Sequence, residues 1–237
     1  MRPMLVLLVF GLGALGQADL VQVRQVNLNH AAKMPNFIAD ETAVQYESDR
    51  GAGPPVWSKL DTIESEVVYV NGRMRRQNQR RDGQAADKLY ELANGGFSIE
   101  IKPLLDPSCP TTIEFESSAG GKTWFRFRSP ADACFVALGI GQGTGHRVAR
   151  TGRFLADDLT RDLIRYEEEG HGFPKDYSMQ QRNEIVAFEY VKIVDASYLL
   201  PVSAEFWWKY LSDKPRRTVI TYKNYRHFEA STKIAFE

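Results

Sequence analysis

The sequence predicts a mainly β protein of the α+β class. We expect one strongly curved antiparallel sheet, a half-barrel, wrapping a short N-terminal helix and a second short helical segment. Roughly ten or eleven segments alternate apolar and polar residues at the two-residue period of strands. Short turns join these segments, which favours antiparallel pairing because parallel strands need long crossovers. A sheet of this size with one apolar face must curl or be covered.

The N-terminal residues are typical of an export signal. Arg2 precedes a short apolar run, and the small residues Gly16 and Ala18 come before an expected cleavage point between Ala18 and Asp19. We therefore assign residues 1–18 to a signal peptide and residues 19–237 to one β-rich domain. The apolar run is shorter than the roughly 20 residues of a membrane-spanning helix, and an uncleaved anchoring segment is the alternative. We expect a periplasmic or secreted protein that does not span a membrane after cleavage.

Charge and cysteine content restrict the partners and the compartment. The chain has 30 basic and 30 acidic residues, so nothing indicates nucleic acid or another anionic polymer as a partner. Its two cysteines are Cys109 and Cys134. In an exported protein this pair predicts a disulfide, with two buried free thiols as the alternative. The bridge would close a loop of about 25 residues and contribute on the order of 3 kcal/mol.

The first half of the chain divides into a helix, three strands and a mixed segment. Leu20 to Lys33 has mixed helical spacing, and Pro35 ends the helix. FIADETAVQYES and TIESEVVYV are predicted strands, and Asn71-Gly72 predicts a tight hairpin turn into RMRRQNQRR. Asp82-Gly83 predicts another turn. DKLYELANGG then predicts a short helix, and FSIEIKPLLDP is compatible with helix or strand.

The second half predicts strands only. A Gly-Gly turn at 120–121 joins the first two of them. The strands are expected at TTIEFES, TWFRFR, CFVALGI, HRVARTGRFLA, RDLIRYEEE, NEIVAFEYVKI, YLLPVSAEFWWKY and RRTVITYKNYRHF.

No motif predicts an enzyme, a cofactor or a metal site. GIGQGTGH (139–146) has the glycine density of a phosphate loop, but a predicted strand follows it instead of the required helix. The basic run RMRRQNQRR lacks interleaved aromatics and is expected to be a solvated hairpin arm, with contact to anionic lipid headgroups or an acidic partner as the alternative. The four histidines do not have metal-ligand spacing, and no G-x-S-x-G nucleophile motif occurs. We therefore expect no catalytic residue and no metal ligand.

The strand YLLPVSAEFWWKY has one apolar face if read from Leu200 in steps of two. Trp207 and Trp208 are adjacent on this strand, so one of them must point away from the core. An exposed tryptophan often marks a contact surface.

Several stretches resemble a group of exported bacterial proteins common in soil Acidobacteria. They are PNFIADETAVQY, EVVYVNGR, GRFLADDLTRDLIRYEEE, and YLLPVSAEF followed by ITYKNYRHFEASTKIAFE. The layout of this group is similar to the lipoprotein-carrier (LolA-like) half-barrel, whose wider class binds acyl chains or lipid-linked proteins. In the group a cysteine often follows the early P-x-F. Ala39 and Asp40 stand near that position here, so any bridge made there in relatives is missing.

These observations predict an exported, non-catalytic protein that binds an apolar ligand, a lipid or the acyl chains of a lipoprotein. A curved sheet offers more apolar surface than short helices cover, so a cavity is expected. The alternative is a structural or interaction protein of the cell envelope with a fully packed core and an envelope protein as its partner. A hydrolase would require a histidine beside a serine or carboxylate in a cleft. The expected ligand-lining residues are Val186, Phe188, Tyr190, Val202, Ala204, Phe206 and Trp208.

Overall fold

The computed structural model describes residues 13–49, 55–86, 101–135, 146–211 and 214–228. These residues form one open, curved, antiparallel sheet of eleven strands and two short helices, which confirms the predicted class. The helices are α1 (Gly13–Ala32) and α2 (Ile101–Leu105). The strands are β1 (Phe37–Ser48), β2 (Trp57–Val70), β3 (Arg73–Arg81), β4 (Gln84–Ala85), β5 (Thr112–Ala119), β6 (Lys122–Ser129), β7 (Ala149–Asp157), β8 (Leu163–His171), β9 (Met179–Ile193), β10 (Ala196–Tyr210) and β11 (Arg216–His227).

The first and last strands meet inside the sheet. The strand order is β4-β3-β2-β1-β11-β10-β9-β8-β7-β6-β5, and every neighbouring pair is antiparallel. Chain neighbours therefore pair within each half, β1 to β4 and β5 to β11, and the contact between β1 and β11 joins the two halves. β4 and β5 are the edges of the sheet.

The predicted turns are confirmed by the backbone. Asn71 and Gly72 have φ values of 51° and 79°, and Asp82 and Gly83 have values of 48° and 81°. Positive φ at both central positions matches the twist of the flanking strands, which is why these residue pairs close hairpins. Gly120 and Gly121 close the β5–β6 hairpin in the same way.

Alternation along the strands gives the sheet two faces. One face, here called the core face, carries buried apolar side chains such as Phe37, Phe154 and Phe206. Val23 of α1 and Leu104 of α2 are buried in the same cluster, so both helices lie against the core face. The opposite face, here called the outer face, carries the intervening residues.

A bulge interrupts the predicted alternation of β10. The pairing with β9 shifts between Pro201 and Ser203, where the chain has one extra residue. Before the bulge Leu199 stands opposite Tyr190, and after it Ala204 stands opposite Val186. The predicted alternation from Leu200 to Tyr210 is therefore interrupted at Val202, although Leu200, Ala204 and Phe206 all belong to the hydrophobic core.

Of the remaining sequence predictions, some are confirmed by the structure, and others stay untested or fall outside the described residues. Cys109 and Cys134 form the predicted disulfide, with Cα atoms 5.6 Å apart. The ambiguous FSIEIKPLLDP segment contains helix α2. The expected cleavage point between Ala18 and Asp19 falls inside α1, and its use stays a prediction. The helix predicted at DKLYELANGG and most of CFVALGI and GIGQGTGH lie outside the described residues. No helix in the described ranges has the length and apolar character to cross a bilayer.

Candidate functional site

Four of the predicted lining residues are buried side by side on the core face. Val186 and Phe188 of β9 and Ala204 and Phe206 of β10 are at most 4% exposed. Ala204 is directly opposite Val186 in the antiparallel register. These four residues form a continuous strip, here called the apolar strip, which contacts the rest of the hydrophobic core.

The other three predicted lining residues border this strip. Val202 lies at the β10 bulge, and Trp208 is partly buried against the core. Tyr190 is 53% exposed and lies at the rim, where its hydroxyl donates to Asp162 at 3.0 Å. Burial and the neighbouring Asp162 carboxylate raise the pKa of Tyr190 to about 12.

Helix α1 is attached to the sheet at the β7–β8 turn. The Asn27 side chain donates to the Arg161 carbonyl at 2.9 Å and accepts from the Leu163 amide at 2.8 Å. His30 contacts Asp162 at 2.9 Å, so the carboxylate that holds Tyr190 also holds the helix. This histidine–carboxylate pair fixes an interface between elements, since Asp162 is buried between α1 and Tyr190.

The core face also carries a buried ionic cluster that the sequence analysis did not identify. Glu168 accepts hydrogen bonds from Arg150 and Arg182, each at 3.1 Å, and from the hydroxyl of Tyr166. Arg150 and Glu168 are almost fully buried, and the Arg150 guanidinium lies 4.4 Å from the centre of the Phe135 ring. Carboxylate and guanidinium groups at such depth persist only when they are paired and hydrogen-bonded.

The cluster continues across the sheet to β1 and β3. Arg182 donates to Glu184 at 2.6 Å. Glu41 accepts from Arg76 at 2.6 and 2.8 Å. Burial opposes the charge of Arg76, but the hydrogen bonds and attraction of Glu41 outweigh it, so the pKa of Arg76 is raised.

Tyr222 lies between the two parts of this cluster. Its burial, and secondarily the negative charges of Glu41 and Glu184, raise the pKa of the Tyr222 hydroxyl well above the usual value. The Tyr222 hydroxyl therefore stays uncharged. The charged side chains of the cluster are three carboxylates and three guanidinium groups, so their formal charges balance. They are Glu41, Glu168, Glu184, Arg76, Arg150 and Arg182.

A sequence signal for this cluster exists in β9. Arg182 and Glu184 have the same strand parity as Val186 and Phe188, so the apolar alternation already places both charges on the core face. A charged residue at an inward position predicts a buried partner on a neighbouring strand. The partners come from β7 and β8, and only the strand register identifies them.

The outer face contains two neighbouring cavities. The first, here called the tryptophan cleft, has a volume of about 340 Å³. Its wall is built from outer-face positions of β9, β10 and β11 that stand opposite one another in the register, and from the start of β2. The cleft is lined by Pro55, Trp57, Asn183, Ile185, Glu205, Trp207 and Arg217. Trp207 is therefore the tryptophan that points away from the core, as the sequence predicts.

The second outer-face cavity, of about 390 Å³, shares Asn183 and Ile185 with the tryptophan cleft. Ion pairs line it. Arg126 contacts Glu116 at 2.9 Å, and Arg153 contacts Glu167 at 2.7 Å. Burial alone would raise the pKa of Glu167, but hydrogen bonds from Arg165 and Arg153 outweigh it and lower the pKa.

Metal binding has no candidate site among the described residues. In those ranges no three His, Cys, Asp or Glu side chains converge as the ligands of one ion. Glu116 and Glu167, which line the second cavity, are instead engaged by arginines.

Comparison with known proteins identifies similar structures at low identity. One is a LolA superfamily protein from Nitrosomonas europaea, with 9% identity, a TM-score of 0.39, and coverage of 94% of this chain and 97% of that one. Another is a DUF1329 family protein from Desulfovibrio piger, with 10% identity, a TM-score of 0.40, and coverage of 93% and 96%. No family model matches the sequence, and no curated protein matches it.

Proposed function

We propose that this chain is an exported, non-catalytic binding protein that holds an apolar chain, such as the acyl chain of a lipid or lipoprotein, on its core face. The observation that carries the proposal is the small share of the apolar core contributed by the described helices. Among its described side chains, from Leu20 onwards, helix α1 buries one apolar side chain there, Val23, with Leu20 and Leu28 partly buried. Helix α2 is five residues long and buries Ile101, Leu104 and Leu105, so the described parts of both helices supply four of the 27 buried residues of this core.

The contacts that attach α1 to the sheet support the proposal that this helix is a movable cover of the core face. The hydrogen bonds that join α1 to the sheet are grouped at the β7–β8 turn, at Arg161, Asp162 and Leu163. They are polar contacts that water can replace. Movement of α1 away from the sheet would open an entrance to the apolar core, at a cost set by Val23, Leu20 and Leu28 and by the core side chains that they contact.

The ionic cluster limits how far an acyl chain would extend. The Arg182 guanidinium lies 5.4 Å from the centre of the Phe206 ring, so the apolar strip ends where the charges begin. Because the cluster has no net charge, it provides no preference for an ionic headgroup. We therefore expect selection for chain length over headgroup type.

The test is to purify the protein from its native compartment and analyse an organic extract by mass spectrometry. Uptake of an anthroyloxy-labelled stearate by the delipidated protein is measured in parallel. We expect a co-purifying acyl lipid and saturable uptake of the probe. A ligand-free preparation that takes up no probe would contradict the proposal and favour the envelope-interaction alternative with a packed core.

A matched pair of variants locates the binding. Ala204→Phe adds a ring to the apolar strip, whereas Ala187→Phe adds the same ring to the outer face of the neighbouring strand. Probe uptake should fall in Ala204→Phe and remain in Ala187→Phe, with circular dichroism confirming that both variants fold. Equal uptake by both folded variants would place the probe elsewhere.

A further inference from the structure

We propose that the tryptophan cleft on the outer face is a binding site for a neutral oligosaccharide. This inference does not depend on the proposed function, because the cleft and the apolar strip lie on opposite faces of the sheet. The volume of about 340 Å³ falls within the usual range of roughly 300–1,000 Å³ for small-molecule sites.

The walls of the cleft combine aromatic surfaces with a planar ion pair. Trp57 and Trp207 both line it, and neither is fully buried. Arg217 stands opposite Trp207 and donates to Glu205 through Nε at 2.7 Å and through Nη2 at 3.0 Å. The hydrogen bonds from Arg217 to Glu205 raise the pKa of Arg217, so its guanidinium stays charged.

The charge balance of the cleft determines the class of ligand. Glu205 and Arg217 neutralise each other, so neither an anion nor a cation gains a net attraction. A purely apolar lipid would leave both charged groups without water, which is costly. A neutral ligand with many hydroxyls satisfies both, since each hydroxyl both donates and accepts a hydrogen bond.

Among neutral ligands with many hydroxyls, aromatic stacking favours sugars. The C–H bonds on one side of a sugar ring carry partial positive charge, and they match the negative face of an indole ring. Asn183 supplies a further polar contact, because its buried Oδ1 has no hydrogen-bond partner among the described residues. A sugar hydroxyl would donate to this oxygen while the ring stacks on Trp207, which stands opposite Asn183.

The second cavity extends the site beyond one sugar. It shares Asn183 and Ile185 with the tryptophan cleft, and two of its arginines, Arg126 and Arg153, are paired with carboxylates. A chain of neutral sugars would cross from one cavity to the other along the shared residues Asn183 and Ile185. A peptide that adds as a strand is disfavoured there, because β9, β10 and β11 are interior strands without a free edge.

The test measures binding of cellohexaose, maltohexaose and chitohexaose to the full chain by calorimetry and by tryptophan fluorescence. We expect saturable binding of at least one of them. Trp207→Ala and, separately, Arg217→Met should each weaken that binding by about tenfold or more. Arg226→Met is the matched control. Arg226 also belongs to β11 and contacts carboxylates, but it does not line the cleft, so this variant should bind like the natural chain.

Several results would overturn the inference. They are the absence of saturable binding of all three oligosaccharides, binding that is unchanged in Trp207→Ala, and an equal loss in Arg226→Met. Stronger binding of anionic polygalacturonate or of a proline-rich peptide would overturn the choice of ligand class. Trp57→Ala provides a second test of location if Trp207→Ala does not fold, because Trp57 enters the cleft from a different strand.

Discussion

Substitution of Glu168 should be among the most destabilising single changes in the buried ionic cluster of the core face. Glu168→Gln keeps the shape of the side chain and removes its charge, which leaves three arginines of the cluster facing two carboxylates. Arg150 and Arg182 each lie 3.1 Å from Glu168. Removing one partner of a buried pair costs about 3–5 kcal/mol. That is a large share of the roughly 5–15 kcal/mol by which domains are stable.

The preceding residue provides the matched control. Glu167 also contacts two arginines, Arg153 at 2.7 Å and Arg165 at 2.6 Å, but it lies on the outer face and is partly solvated. Glu167→Gln should therefore cost only about 0–1 kcal/mol. Urea unfolding followed by circular dichroism gives both free energies of unfolding. If the two variants lie within about 1 kcal/mol of each other, the core-face cluster is not desolvated and our reasoning fails.

A double variant separates the loss of charge balance from the loss of contacts. Arg150→Met combined with Glu168→Leu removes one charge of each sign, so two arginines again face two carboxylates. Replacing a whole buried pair with apolar residues is often neutral or stabilising. We expect the double variant to be more stable than Glu168→Gln alone. A double variant as unstable as the single one would show that packing, and not charge, sets the cost.

Three further predictions concern the framework. Replacing Cys109 and Cys134 by serine should lower the free energy of unfolding by about 3.5 kcal/mol, since the bridge closes a loop of 25 residues. A loss below about 1 kcal/mol in denaturant unfolding would contradict this. Gly152→Ala should cost about 3 kcal/mol or prevent folding, because a Cβ there would lie 2.0 Å from the Glu167 carbonyl oxygen. An unchanged melting temperature would contradict it. The raised pKa of Tyr190, about 12, stabilises the fold fully below pH 10, and this contribution is lost as the pH rises towards 12. The natural chain should therefore lose more stability than Tyr190→Phe over that interval, and parallel pH profiles would refute the contact.

Features determined by local sequence could be predicted. FIADETAVQYES coincides with β1, and the Asn71-Gly72 and Asp82-Gly83 turns form where expected. Strand alternation and positive-φ turns depend on residues that are close in the chain, so one sequence is enough to recognise them. The disulfide was predictable because two cysteines allow only one intramolecular pairing.

Features that depend on strand order could not be predicted. Nothing in β1 or β11 shows that the two strands pair, although their contact joins the two halves of the sheet. The bulge at Pro201 and Ser203 changes the parity of β10 through a single extra residue, and alternation alone does not locate it. The tryptophan cleft combines Trp57 with Trp207, which are far apart in the chain. Local patterns therefore identify the elements, and pairing between distant strands creates the sites.

Strand β9 contributes to both candidate sites, because its side chains alternate between the two faces of the sheet. Its core-face residues, such as Val186, belong to the apolar strip, and its outer-face residue Asn183 belongs to the tryptophan cleft. A disruption of β9 would therefore damage both sites. On β10 the sites separate, because Ala204 and Trp207 have opposite parity. If the sites are independent, Ala204→Phe should retain oligosaccharide binding and Trp207→Ala should retain acyl-probe uptake. A variant that loses both activities while staying folded would mean that the sheet couples its two faces.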